Sequence, residues 1–260
     1  MRVDLHNHTT LCNHANGTMR EYILKAIDLG IDIYGFSEHA PMDFDEGYRL
    51  PLSQKAFYEN EVLTLKNEFK NEIDIVLGYE VDFMQHVPMK KEILNANVDY
   101  LIGSVHFLDG WGFDNPEFIG AYKDKDIDTI WQDYFDAIEA MANSSLFDIV
   151  GHLDLIKVFK FLPKKDIRLI AKKALLAIKK ANMCVEINAA GFRKPIGEQY
   201  PSKELLECCF ESDIPITFSS DAHEIAQIGF SYDKAIELAK AVGYFKCASY
   251  KNRERVLHTF

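Results

Sequence analysis

No stretch of this sequence is apolar for long enough to cross a bilayer, and its first residues, MRVDLHNHTT, lack the apolar run of a signal peptide and read as a strand. No membrane association is expected, and a cytoplasmic location is. Basic charge is short as well: 29 lysines and arginines face 40 aspartates and glutamates, a formal net charge of −11. That argues against a broad cationic surface for gripping nucleic acid. It leaves room for a small phosphorylated substrate, because bound cations can invert the local field. Cysteine is scarce. Cys12, Cys184, Cys208, Cys209 and Cys247 are odd in number and form no C-x-x-C, so reduced thiols are expected rather than a disulfide framework. Linkers, low-complexity tracts and internal repeats are missing too, and one domain spanning residues 1–260 is expected. A chain of this length buries about 70–75% of its extended surface and needs no disulfide staples.

What is present is alternation. Short apolar runs at Arg2–Leu5, Ile33–Phe36, Ile75–Tyr79, Tyr100–Val105, Asp148–Gly151, Cys184–Ile187 and Ile216–Phe218 read as strands buried on both faces. Helical patterns lie between them. Thr18 and Glu21 form a capping box for a helix to Leu29, stopped by Gly30. Ser53 is expected to open a helix to about Phe69, and Ser202 another to about Glu211. Lys90–Asn95, Asp128–Ala142, Lys165–Ala181 and Tyr232–Ala241 also carry helical spacing. Such alternation predicts a parallel α/β sheet, either closed as a barrel or open and doubly wound. Residues after Tyr244 either add an edge strand or cover one end.

The chemistry sits where the strands stop. The first ends in His6-Asn7-His8, whose two imidazoles share a face. Later strands end in or just before His39, Glu80, His106, His152 and the pair Asp221 and His223, and His14 follows the first pair. In a parallel barrel these ends converge on one rim, where active sites lie. Each element alone is weak, since a lone histidine is usually a hydrogen-bonded core residue and a lone acid a turn or cap. Together they place seven imidazoles and two carboxylates in one cup, and unpaired buried charge is costly without metal. Nine ligands exceed the needs of one ion, so two or three divalent transition metals are expected, and imidazole with carboxylate suits zinc, iron or manganese. Cys12 reads as a packing neighbour of the cup, and His86 and His258 lie outside the pattern.

The run D-L-H-N-H with His39, Glu80, His106, His152 and S-D-A-H resembles the polymerase-and-histidinol-phosphatase (PHP) superfamily. T-x-x-C-x-H-A at Thr9–Ala15, S-E-H-A-P at Ser37–Pro41, G-Y-E-V-D-F at Gly78–Phe83 and G-S-V-H-F at Gly103–Phe107 are similar to its histidinol-phosphatase branch. Gly151–Lys157 and Glu186–Lys194 extend the match. The resemblance implies a distorted seven-stranded (β/α) barrel with its metal site at the C-terminal rim of the strands. It implies His6, His8, Glu80 and Asp221 around a first metal, Glu80, His106 and His152 around a second, and His14, His39 and His223 around a third.

The activity implied is a phosphoric monoester hydrolase, a histidinol-phosphatase of histidine biosynthesis, cleaving L-histidinol phosphate with a metal-bound hydroxide as nucleophile. Asp221 or His223 is the expected proton donor to the leaving oxygen, with bound water the alternative. Arg193 is the expected phosphate anchor, through two parallel bonds of its guanidinium. Lys157 and Lys160 are lesser candidates, and Tyr200 and Glu198 are expected to shape the substrate pocket. Trp111 and Phe113 read as solvent-excluding or packing aromatics. Another PHP phosphoesterase acting on phosphotyrosine or nucleotides, an amidohydrolase-type enzyme and a non-catalytic metal-bound barrel are the competing readings.

Overall fold

Seven apolar runs become seven parallel strands that lie side by side in chain order: β1 Val3–Asp4, β2 Ile33–His39, β3 Asp74–Asp82, β4 Tyr100–Ser104, β5 Ile149–Val150, β6 Cys184–Asn188 and β7 Ile216–Ser219. These come from a computed structural model that describes residues 1–260. The last strand returns to the first. Leu5 donates its amide to Phe218 at 3.1 Å and His8 donates to Ala222 at 2.9 Å, so the sheet nearly closes as a barrel. Of the two topologies open to the sequence, the barrel is the one formed.

Seven helices alternate with the strands: α1 Met19–Asp28, α2 Lys55–Glu68, α3 Lys91–Leu94, α4 Ile127–Asn143, α5 Ile167–Lys180, α6 Lys203–Glu211 and α7 Tyr232–Val242. No helix is long and apolar enough to cross a membrane. The Thr18–Glu21 capping box is complete, and Ser202 caps α6 by accepting the Leu205 amide. Ser53 does not cap α2. A 3-10 turn over Leu52–Gln54 leads from Pro51 into the helix, and its carbonyls, not a side chain, take the first amides. Along α5, Ile170, Ala174 and Ile178 face the core at helical spacing, while Leu169 and Leu176 stay in solvent.

Tyr100 braces the barrel from within. Its hydroxyl donates to the carbonyl of Leu5 at 2.5 Å, and β4 and β1 are not neighbours in the sheet, so the ring spans the interior. Gly35 and Gly78 make room: a Cβ on either would stand 2.2 Å from the Tyr100 hydroxyl or 2.6 Å from its ring. The residues after Tyr244 form a separate antiparallel hairpin, β8 Lys246–Lys251 with β9 Glu254–Thr259. It covers the N-terminal end of the strands, where Tyr250 donates to the Asp148 carbonyl and the Arg253 amide to that of Asp99. The opposite end is left to the functional side chains.

Candidate metal centre

His6 and His8 leave β1 two residues apart and bring their Nε2 atoms to the same place. These atoms stand 3.4 and 3.6 Å from Glu80 Oε2, and 3.9 and 3.3 Å from Asp221 Oδ1 in the turn after β7. A tetrahedron of ligands about 2.0–2.1 Å from its centre has edges of about 3.3 Å, near the spacing of Glu80 Oε2 from the two imidazole nitrogens, and His6, His8 and Glu80 form one close set of ligand atoms that Asp221 adjoins from outside. The other oxygen of Glu80 faces a second group: Oε1 lies 3.0 Å from His152 Nε2 and 3.7 Å from His106 Nε2, and accepts a bond from the Ser104 hydroxyl at 2.7 Å. Glu80 thus stands between two sets of imidazoles. On a third side, His39 Nδ1 reaches Glu80 Oε2 at 2.8 Å. The rings of His39 and His223 each stack on His8 at 4.1 Å. His14 is 4.7 Å from His223 and 5.3 Å from His39 between ring centroids, so it joins this set from its outer edge.

Three carboxylates back three of these imidazoles, and the sequence pattern had assigned them no role. Glu186 of β6 holds His6 Nδ1 at 2.9 Å, Glu38 of β2 holds His8 Nδ1 at 3.3 Å, and Asp82 of β3 holds His106 Nδ1 at 2.5 Å. Each bond turns the free Nε2 toward the cluster, the usual way a carboxylate orients a metal-binding imidazole. The Asp82 carboxylate is itself held by Arg49 at 2.6 Å, and Glu38 by the Thr9 amide at 2.8 Å. The available signal was a charged residue inside a strand with no partner nearby in sequence. Glu38, Asp82 and Glu186 all answer that description.

These pairings split the histidines electrostatically. Burial works to lower His8, but bonds to Asp221 and Glu38 win and raise it to about 9. Burial likewise opposes, and Asp82 and Glu80 override it, in raising His106 to about 10. His39, with no such backing, is lowered by burial and by His8 to about 4. Glu80 is driven up by burial, yet His6, His39 and His106 hold it well below the carboxylate range.

The rim beyond the cluster encloses about 630 Å³, with His14, His39, Glu80, His106, His152, Asp221, His223, Arg193 and Tyr200 in its lining. Arg193 Nη2 donates to the carbonyls of Ser220 and Asp221 at 2.9 Å each. That pins a turn in which Asp221 adopts the left-handed region at φ 50°. Its buried Nη1 has no partner. Tyr200 is 1% exposed and its hydroxyl is also unpartnered. Lys157 is placed differently from the sequence expectation. Its ammonium is buried between Asp154 at 3.0 Å and Glu198 at 2.6 Å, with the Gln199 carbonyl at 2.9 Å, and it does not line the cavity. Glu198 is thereby engaged too. Lys160 is exposed and outside the lining. Trp111 packs on Tyr122 and Phe113 on Tyr134, neither against an imidazole. The Cys12 thiol donates to the Thr9 carbonyl at 3.0 Å, and burial and Glu38 raise its pKa far from thiolate. Its sulfur also lies in one close set of ligand atoms with His14 and His223, and in another with His8 and Glu38.

The family model of the PHP domain matches residues 4–190 of this sequence, the stretch that carries β1 to β6 and seven of the nine strand-end ligand candidates. The chain belongs to the PHP domain family. Among similar proteins, a probable histidinol-phosphatase of Deinococcus radiodurans is 38% identical over 92% of this chain and 93% of its own. A histidinol-phosphatase of Bacillus subtilis is 29% identical over 90% of this chain and 98% of its own. A solved histidinol phosphate phosphatase of Lactococcus lactis, complexed with zinc, L-histidinol and phosphate, superposes with a TM-score of 0.82 at 25% identity, covering 98% of both chains.

This PHP chain's residues fit divalent metal. His6 Nε2, His8 Nε2 and Glu80 Oε2 are buried without a hydrogen-bond partner, a costly state that a cation would relieve. In the metal-free protein the raised pKa values of His8 and His106 mean that both carry an extra proton near neutral pH, and a metal ion must displace it. Zinc added to metal-free protein is therefore expected to release protons, and its apparent affinity to rise with pH until about 9 to 10. Titration calorimetry near neutral pH in two buffers of different ionisation enthalpy measures this. Identical heats in both buffers would mean that these imidazoles are already neutral.

Proposed function

We propose that this chain is a histidinol-phosphatase, hydrolysing L-histidinol phosphate to L-histidinol and phosphate with two to three divalent transition metals, zinc, iron or manganese. His6, His8, Glu80 and Asp221 would hold the first, Glu80, His106 and His152 the second, and His14, His39 and His223 the third. The observation that carries the reading is Glu80, one buried carboxylate with each oxygen turned to a different set of imidazoles. It opens onto a cavity with an unpaired guanidinium nitrogen. The names of full-length relatives supply the substrate.

When bound, such metals neutralise phosphoryl oxygens and bring the pKa of water toward neutrality. The chain's own residues do the rest. Arg193 Nη1 donates to a phosphoryl oxygen and holds the ester for in-line displacement. Asp221 and His223 both line the cavity. Burial raises Asp221, but His6, His8 and His223 hold it well below the carboxylate range, so it has no proton to give near neutral pH. Burial and His8 likewise hold His223 well below the imidazole range, so neither side chain has a proton to give near neutral pH; both position the cluster, and the leaving oxygen takes its proton from water.

The test is phosphate release by metal-loaded protein from L-histidinol phosphate beside sugar phosphates, nucleotides and phosphotyrosine. L-Histidinol phosphate is expected to lead in kcat/KM by on the order of 100-fold, the discrimination available to a site that pairs with the substrate's polar groups. A flat panel, or phosphotyrosine in the lead, would assign the barrel to another phosphoesterase of the family.

A further inference from the structure

The outer face of α5 has nothing packed on it. Leu169 and Leu176 are 72% and 60% exposed, and at helical spacing they share one stripe with Lys172, Lys173 and Lys180, all in solvent. These three lysines make no ion pair within the chain, whereas Arg168 at the start of the same helix is held by Glu204 and Glu207. In a chain of net charge −11, a row of unpaired cations around two exposed leucines is out of keeping with the surface as a whole.

The counterpart lies on the far flank of α4, against which α5 packs. Strand order puts α5 on one side of α4 and the chain that follows β3 on the other. On that second side a groove of about 840 Å³ runs between α4, the segment after β3 and the short hairpin over Phe107–Gly112. Phe44, Phe83 and Leu108 give it an apolar floor, and Asp109, Asp133, Asp136 and Glu139 an acidic rim. No lysine or arginine lines it. Lys125, 3.9 Å from Asp133, is the one cation paired with any of the four acids. Along α4 the groove is met by Asp133, Asp136, Ala137 and Ala140, the same spacing at which α5 presents Leu169, Lys172, Lys173 and Leu176. One stripe offers acids and small side chains where the other offers lysines and leucines.

We propose that two copies of this chain pair through these faces as a two-fold dimer, α5 of each laid on the acidic groove of the other. Both helices connect neighbouring parallel strands, so they run in the same direction. A two-fold axis along them brings α5 onto the partner's groove twice over, with α4 near the axis. A two-fold across them would set α5 on α5 and groove on groove, opposing like charges. A second copy covers both faces at once. An anionic lipid surface would take the lysines but repel the groove beside them.

Sedimentation velocity of the metal-loaded chain tests this. Wild type is expected to dimerise, and about 0.5 M salt to weaken the dimer. Lys172→Glu with Lys173→Glu, and separately Asp133→Lys with Asp136→Lys, should each raise the dimer dissociation constant about 100-fold or more, because each sets like charges together twice across the two-fold. An equimolar mixture of the two double variants should restore the dimer, since each acidic face then meets a basic one; a variant that had merely misfolded could not be rescued in this way. Wild type that stays monomeric at about 100 µM overturns the proposal. So does a dimer that neither reversal weakens, which would place the contact on another surface, or a mixture that fails to associate. Monomeric protein that sediments with phosphatidylserine vesicles, and loses this with Lys172→Glu and Lys173→Glu, would assign the α5 face to anionic lipid and overturn the dimer as well.

Discussion

Glu80→Gln is expected to lose metal and turnover together, with kcat for L-histidinol phosphate falling about 10³-fold or more. Both oxygens of Glu80 are committed, Oε2 toward His6, His8 and His39 and Oε1 toward His106 and His152. An amide keeps the size but removes the negative charge and offers one acceptor where the site uses two. Its NH2 group would point donors at imidazole nitrogens meant for a cation, or leave itself unpaired in a buried place. Each metal set that shares the carboxylate is weakened, so the damage exceeds that of losing a ligand to one ion. The same change also uncovers the protonated His6, His8 and His106 of the metal-free protein, whose charges Glu80 offsets. Metal-free Glu80→Gln should therefore melt below metal-free wild type, because breaking a buried ion pair from one side leaves the other charge uncompensated. Elemental analysis after dialysis, steady-state kinetics and thermal melts measure the three effects. Wild-type metal content with kcat within tenfold of wild type would show that Glu80 is not shared between ions.

Arg193→Ala is expected to lower kcat/KM for L-histidinol phosphate by about 10- to 100-fold, one charge-assisted bond's worth, while metal content stays at the wild-type level. The sequence suggested two parallel bonds to phosphate. The structure shows Nη2 already spent on the carbonyls of Ser220 and Asp221, with Nη1 as the nitrogen left unpaired in the cavity wall. Loss of the guanidinium thus has two parts, a missing donor to phosphate and a loosened turn at Asp221. Inhibition by free phosphate separates them. It weakens in parallel with kcat/KM if the donor matters, and stays unchanged if only the turn has moved. Arg193→Lys, able to supply one donor but not both roles, should fall between wild type and alanine. Wild-type kcat/KM in Arg193→Ala would make the arginine a structural clamp. With Lys157 held by Asp154 and Glu198, the phosphate anchor would then have to come from the metals alone.

The strand-end histidines were legible because the rule that places them is local. A strand turns alternate residues to one face, and parallel strands all end at the same rim, so His6, His8, Glu80, His106, His152 and Asp221 could be expected to meet without knowing any contact. The Thr18–Glu21 cap followed from four residues of sequence, and it formed. Which carboxylate stands behind which imidazole was a different kind of fact. Glu38 meets His8 across 30 positions through the pairing of β1 with β2, and Glu186 meets His6 across 180, which only the closed barrel brings together. The same closure engaged Lys157 with Glu198, 41 positions along the chain, and left Arg193 Nη1 without a partner in the cavity wall. Residue type and strand periodicity thus determined which groups reach the rim. Charge pairing across the barrel, set by strands that neighbour in space but not in sequence, decided which are spent on structure and which remain free for chemistry.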